Sequence, residues 1–153
     1  MEPSVFPSDP GLDAVRQRRL SLRASMSNLE HALASPPAGR MDQWNAGVSA
    51  AVHGLQTCMR EHIDATEGPD GFHSDMLTAA PRLAYAVEVS VREHAAITEL
   101  IAEIVGRSHP QKPDDADAIR EMGTRLLGLL IRHRQRGADM IYEAYQSDLG
   151  GEH

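Results

Sequence analysis

Four long intervals without a proline, divided by clusters of Pro and Gly, constrain this 153-residue chain more than any other feature. Proline inside a helix removes a hydrogen bond and clashes with the preceding turn, so the clusters mark where helices must end. The first interval follows Ser8-Asp9-Pro10, an Asx cap with a first-turn proline, and predicts a helix from about Leu12 to Ala34 that stops at Ser35-Pro36-Pro37-Ala38-Gly39. The second predicts a helix from about Met41 to Glu67, ended by Gly68-Pro69-Asp70-Gly71. A short helical piece over Ser74–Ala80 comes next, then a third long helix from Pro81 to about Gly106 and a linker from Ser108 to Pro113. The fourth starts at Asp114-Asp115, where carboxylates suit the positive end of the helix dipole, and runs to about Tyr145. Residues 1–10 read as a flexible N-terminal segment, 11–147 as the folded unit and 148–153 as a tail.

Apolar spacing supports helices that pack on one another. Trp44, Val48, Ala51, Leu55, Cys58 and His62 step alternately by four and three residues. So do Leu83, Val87, Ser90, His94, Ile97, Ile101 and Ile104, and again Ile119, Met122, Leu126, Leu129, His133, Arg136 and Met140. Val15, Leu22, Met26, Leu29 and Leu33 mark the inward face of the first interval. Spacings of this kind put one stripe of each helix toward a shared core. Aromatic residues make up only 4% of the chain, which suits helix on helix better than a β-sandwich. The expected fold is all-α, an antiparallel up-down-up-down four-helix bundle.

Charge narrows the function classes. A formal net charge of −7 opposes nucleic acid as a bulk partner, since phosphate binding needs a concentrated excess of Lys and Arg. No stretch approaches the roughly 18 apolar residues of a membrane span, and Met1–Pro10 lacks the apolar stretch of a signal peptide. The single cysteine, Cys58, has no intramolecular disulfide partner and reads as a small buried hydrophobe. These features predict a cytoplasmic protein with neither a nucleic-acid nor a membrane partner. An activated nucleophile, a phosphate loop and a dinucleotide fingerprint are all missing, which speaks against a classical enzyme.

Three of the eight histidines are the chemical signal. His62, His94 and His133 each fall on the inward stripe of a different helix, whereas His73 and His109 fall in connecting segments. A buried imidazole among Leu, Ile and Met needs hydrogen-bond or metal partners, so three such residues call for one explanation. The strings Arg60-Glu-His62 followed by Thr66-Glu67, and Arg92-Glu-His94 followed by Thr98-Glu99, match each other in spacing.

With inward histidines on its last three helices, and the strings Arg-Glu-His62 with Glu67, Arg-Glu-His94 and Leu-Leu-Ile-Arg-His133, the chain resembles the hemerythrin-like (HHE cation-binding) family over roughly Leu12 to Tyr145. The resemblance implies a non-haem iron centre inside the bundle that binds or senses oxygen, nitric oxide or peroxide. It implies His62, Glu67, His94 and His133 as metal ligands. The family's carboxylate place four residues after its second-helix histidine is Thr66 here, its ligand place four residues after the third-helix histidine is Thr98, the corresponding place on the last helix is Gly137, and the first helix has no inward histidine. The set therefore suits one Fe(II) or Zn(II) ion with an open position better than the family's two irons. Glu67 sits five residues after His62, and a loosened last turn before Gly68-Pro69 is needed to turn it inward. Counting about 1.5 Å per residue from the linkers puts His94 near 10 Å out of level with the other two histidines.

The alternative is a metal-free, degenerate bundle with a polar network in its core, Arg19 neutralising Glu67, acting as a protein-interaction or regulatory module. A homodimer through an exposed helix face would suit it. Trp44 is expected to plug a bundle end, and the Arg132-His133-Arg134-Gln135-Arg136 cluster reads mainly as a solvated face, with Arg136 close enough to the inward stripe to pair with a core carboxylate or attract an anion.

Overall fold

The structure, a computed structural model, describes residues 10–107 and 113–150, with side chains described from 13 to 107, except Val15, and from 115 to 144. The expected N-terminal segment before Pro10, residues 108–112 of the linker, the last three residues of the tail, and the side chains of Val15 and Tyr145 lie outside the described residues. Helix α1 spans Pro10–Ala34, α2 Met41–Glu67, α3 Phe72–Ala79, α4 Ala84–Gly106 and α5 Pro113–Gly150, with a 3-10 turn at Pro81–Leu83 before α4. Among the described residues there is no strand, so the chain is all-α. No described helix is long and apolar enough to cross a membrane.

Local chemistry explains most boundaries. Pro10 opens α1, where its missing N–H costs no intrahelical bond. Pro36 and Pro37 follow the end of α1, and Gly39 takes a positive φ of 71° between α1 and α2. Gly68 caps α2, its N–H donating to the Asp64 carbonyl. Gly71 starts α3 where a side chain has no room, because an added Cβ would lie 2.5 Å from the Thr66 carbonyl oxygen. The last helix continues to Gly150, past the point at which Asp148-Leu149-Gly150 suggests a tail. Glycine weakens a helix by only about 1 kcal/mol, and that stretch has no proline to stop it.

The four long helices pack α1 on α2, α2 on α4, α4 on α5 and α5 on α1, while α3 lies against α2 and α5. Two apolar clusters result. The larger contains Leu22, Leu29, Leu55, Ile97, Leu126 and Leu130, all 0–1% exposed. Burying each such side chain contributes about 1.5–3 kcal/mol. The smaller joins Phe72 and Met76 of α3 to Leu83, Val87, Met140 and Ala144. The apolar face of α2 is wider than a strict heptad stripe: Val52 and Met59 are buried, with Ala51 and Cys58 half-buried beside them. On α5, Leu130 is fully buried and Leu129 only half. Trp44 is buried in the larger cluster with the Arg120 guanidinium over its ring.

These two clusters position what lies between them. On α4 the buried order is Val87, Ser90, His94, Ile97, running from the smaller cluster to the larger. On α5, His133 likewise falls between Leu130 and Met140.

Candidate metal centre

His62, His94 and His133 are all buried, 8%, 1% and 4% exposed. Their ring centroids lie 5.0 Å apart for His62–His94, 5.4 Å for His62–His133 and 4.6 Å for His94–His133. One ring nitrogen from each falls within 4.8 Å of the others. The height mismatch expected from counting residues is therefore absent. Val52 and Ile104, equally far along the chain from His62 and His94, line one small space, so the two histidines are level. The counting error came from assuming that helix ends are flush, whereas Gly106 ends α4 well short of the start of α2.

Two carboxylates orient the rings from outside. His94 Nδ1 donates to Glu67 Oε2 at 2.5 Å, and His133 Nδ1 donates to Glu93 Oε1 at 3.1 Å. With Nδ1 protonated in each, a neutral ring turns the Nε2 lone pair inward. This is the carboxylate–histidine arrangement that fixes tautomer and orientation around metal ions. His62 Nε2 lies 3.2 Å from His133 Nε2. Two nitrogens bound at about 2.1 Å to one ion lie about 3.0–3.4 Å apart for angles from octahedral to tetrahedral, so this pair is already at bite distance. His94 Nε2 and His62 Nδ1 are buried with no hydrogen-bond partner. Such orphaned groups cost about 1–3 kcal/mol each, and an ion shared by the three inward nitrogens removes the cost for His94.

Burial holds the cluster neutral. Desolvation, reinforced by the neighbouring His133, pushes His62 down to about 3 and His94 down to about 2. Burial also lowers His133, opposed by the hydrogen bond that it donates to Glu93. Glu67 is raised by burial. Neutral imidazoles are the form that binds a metal.

Glu67 does reach the site from the last residue of α2, but it meets the outer nitrogen of His94 and is not part of the three-nitrogen cluster. The Arg19–Glu67 neutralisation expected for a degenerate core is not formed. Arg19 Nη2 donates instead to the Arg134 carbonyl at 3.1 Å, because Arg19 lies against α5 and Glu67 against α4. Arg136 does find a carboxylate, Glu93, at 3.0 Å. The hydroxyls of Thr66 and Thr98 donate back to the carbonyls of His62 and His94, at 2.9 and 2.7 Å, and Gly137 has no side chain. None of these three places supplies a metal ligand. Cys58 is half-buried against the larger cluster, its sulfur 3.1 Å from Ser25 Oγ.

Two residues of the site were not anticipated from the sequence. His73, expected in a connecting segment, is in α3, buried, and stacked on His94 with centroids 5.8 Å apart and planes 3° from parallel. Burial, with His133 nearby, pushes it down to about 4. Glu93 precedes His94 in the Arg-Glu-His string, and its proximity to a second histidine across the α4–α5 contact is a tertiary feature. A cavity of about 30 Å³ adjoins the cluster, bordered by His62, His73, His133, Thr66, Ser90 and Gly137 among others. That is room for a water or a similarly small molecule.

No family model matches the chain, and no curated protein or solved structure matches it.

Proposed function

We propose that the chain is a hemerythrin-like protein, an antiparallel up-down-up-down bundle that holds one iron ion on His62, His94 and His133 and binds or senses oxygen, nitric oxide or peroxide. The observation that carries this reading is the convergence of three buried, neutral imidazoles, two of them backed by carboxylates and one with an orphaned inward nitrogen. Apolar side chains alone would fill a structural core more cheaply, because buried polar groups without partners destabilise it.

Iron bound there supplies a redox-active centre with open coordination positions for a small ligand. The protein's own contributions are distinct. Glu67 and Glu93 hold the rings of His94 and His133 in the tautomer that presents Nε2. The three histidines are themselves buried, and a small cavity adjoins them. The lack of ligands at Thr66, Thr98 and Gly137 favours one ion over two. Three histidines also suit Zn(II), so the metal is identified by analysis of the purified protein.

The functional test is spectroscopic. Fe(II)-loaded protein is mixed anaerobically with nitric oxide, and separately with oxygen and hydrogen peroxide, and followed by optical and EPR spectra. A saturable change at one equivalent, absent from His62→Ala, is expected. Iron-loaded protein that responds to none of the three would remove the sensing function and leave only a metal site.

A further inference from the structure

Helix α5 carries a second stripe, on the side away from the core. Thr124, Gly128, Ile131, Gln135, Ala138 and Tyr142 step by 4, 3, 4, 3 and 4 residues, the same alternation as the inward stripe. Each of them is exposed or half-buried, whereas Leu126, Leu130 and His133 on the other side of the helix are buried. A single exposed apolar side chain is ordinary, but this stripe holds two large ones, Ile131 at 58% exposure and Tyr142 at 63%. Leu20 of α1, 61% exposed, adds to the same region, since the residue before it, Arg19, reaches the Arg134 carbonyl of α5. At Gly128 an added Cβ would meet nothing within 4 Å, so the helix backbone is open to close approach there.

Charge on the flank of the stripe says what covers it. Arg132 and Asp139 lie seven residues apart, hence on the same side of α5, and have opposite signs. Arg132 has no carboxylate partner among the described residues. Asp139 accepts a hydrogen bond from the neutral amide of Gln135 at 3.0 Å. One helix face thus holds an apolar pair and an ion pair whose members are too far apart to meet within the chain. A second copy, turned by a two-fold rotation, supplies the missing member of each.

We propose that this face of α5 is the interface of a homodimer, with the two α5 helices antiparallel about an axis between Arg136 and Gly137. In that register Ile131 meets the partner's Tyr142, Gln135 meets the partner's Ala138, and Arg132 stands beside the partner's Asp139. Each contact is made twice. Parallel pairing would set like charges level with one another, and sliding the antiparallel pair by one heptad toward the start of α5 would set Arg132 against the partner's Arg132. A net charge of −7 on each chain opposes indiscriminate association, so the local pairs decide the register. The interface does not require the metal, because none of its residues belongs to the histidine cluster.

Sedimentation equilibrium over a range of protein concentrations, with and without chelator, tests the proposal. A two-chain mass in both samples, dissociating in the micromolar range, is expected. Ile131→Asp should leave a single-chain mass, with helix content by circular dichroism and metal content unchanged. Arg132→Glu and Asp139→Arg each turn both ion pairs repulsive and should weaken the dimer at least about tenfold. The variant that combines these two changes exchanges the charges, re-forms both pairs in reverse and should return to near the parent affinity. A single-chain mass at all concentrations up to about 1 mM would overturn the interface. So would a two-chain mass that Ile131→Asp does not alter, a charge-exchanged variant as weak as the single ones, or a dimer that chelator dissociates. Loss of metal binding with the dimer intact would refute the metal centre and leave the interface standing.

Discussion

Acidification should destabilise the metal-free protein steeply, and by an amount that follows from the burial of the histidines. In the unfolded chain a histidine titrates near 6.5, whereas in the fold His62 titrates near 3 and His94 near 2. Well above pH 6.5, from about pH 7.5, both states are essentially neutral, and these groups contribute little pH dependence. Below it the unfolded state takes up protons that the folded state refuses, so stability falls as pH falls, by about 1.4 kcal/mol per unit for each group. For the two together the slope approaches about 2.7 kcal/mol per unit below pH 6, and about 3 kcal/mol is lost between pH 6.5 and 5. That is a large share of the roughly 5–15 kcal/mol that stabilises a domain. Glu67, raised by burial, works in the opposite direction toward the acid end. The assay is urea unfolding of chelator-treated protein followed by circular dichroism at pH 7.5, 6.5, 5.8 and 5. A flat profile across that range would refute the claim that these imidazoles are buried and neutral. Adding a tightly bound metal at neutral pH should raise the unfolding free energy by about 2.7 kcal/mol at a free concentration one hundred times its dissociation constant, and the urea midpoint with it.

Other perturbations separate the parts of the site. Glu93→Gln removes the charged acceptor shared by His133 and Arg136, and metal affinity measured by competition with a chromophoric chelator should fall about 10–100-fold with the helices intact. Glu67→Gln should act similarly through His94. Leu126→Ala opens a cavity in the larger cluster, where Leu126 is 0% exposed, and should cost about 2–5 kcal/mol in urea unfolding. Gly71→Ala forces its Cβ against the backbone carbonyls of Thr66 and Gly68, so it should cost about 1–3 kcal/mol and move His73, read as a shifted imidazole resonance in NMR.

How far the sequence carried is visible in particular residues. The α2 limits, Met41 and Glu67, coincide with those set by Gly39 and Gly68-Pro69, because proline and glycine act locally. The three inward histidines were legible from helical spacing, since a helix turns by a fixed angle per residue. The inward stripe expected through Ala51 and Cys58 misses their more deeply buried neighbours Val52 and Met59, because a helix packed by several neighbours buries a wider face than one stripe. His73 was not legible. Its burial depends on α3 folding across the end of α2 and against α5, and an eight-residue helix has too little periodicity to announce that. Nor was Glu93, whose reach to His133 depends on the α4–α5 contact. The level placement of His62 and His94 depends on where α4 stops relative to α2, a relation between helices that spacing along either one does not contain.

The central claim is that His62, His94 and His133 share one metal ion, and elemental analysis of anaerobically purified protein, before and after Fe(II) loading, tests it most directly. One iron per chain is predicted, lost in His94→Ala and in His133→Ala with helix content retained. No stoichiometric metal after loading, or the same metal content in both variants, would contradict it. Two irons per chain would contradict the single-ion site and require ligands beyond these three histidines.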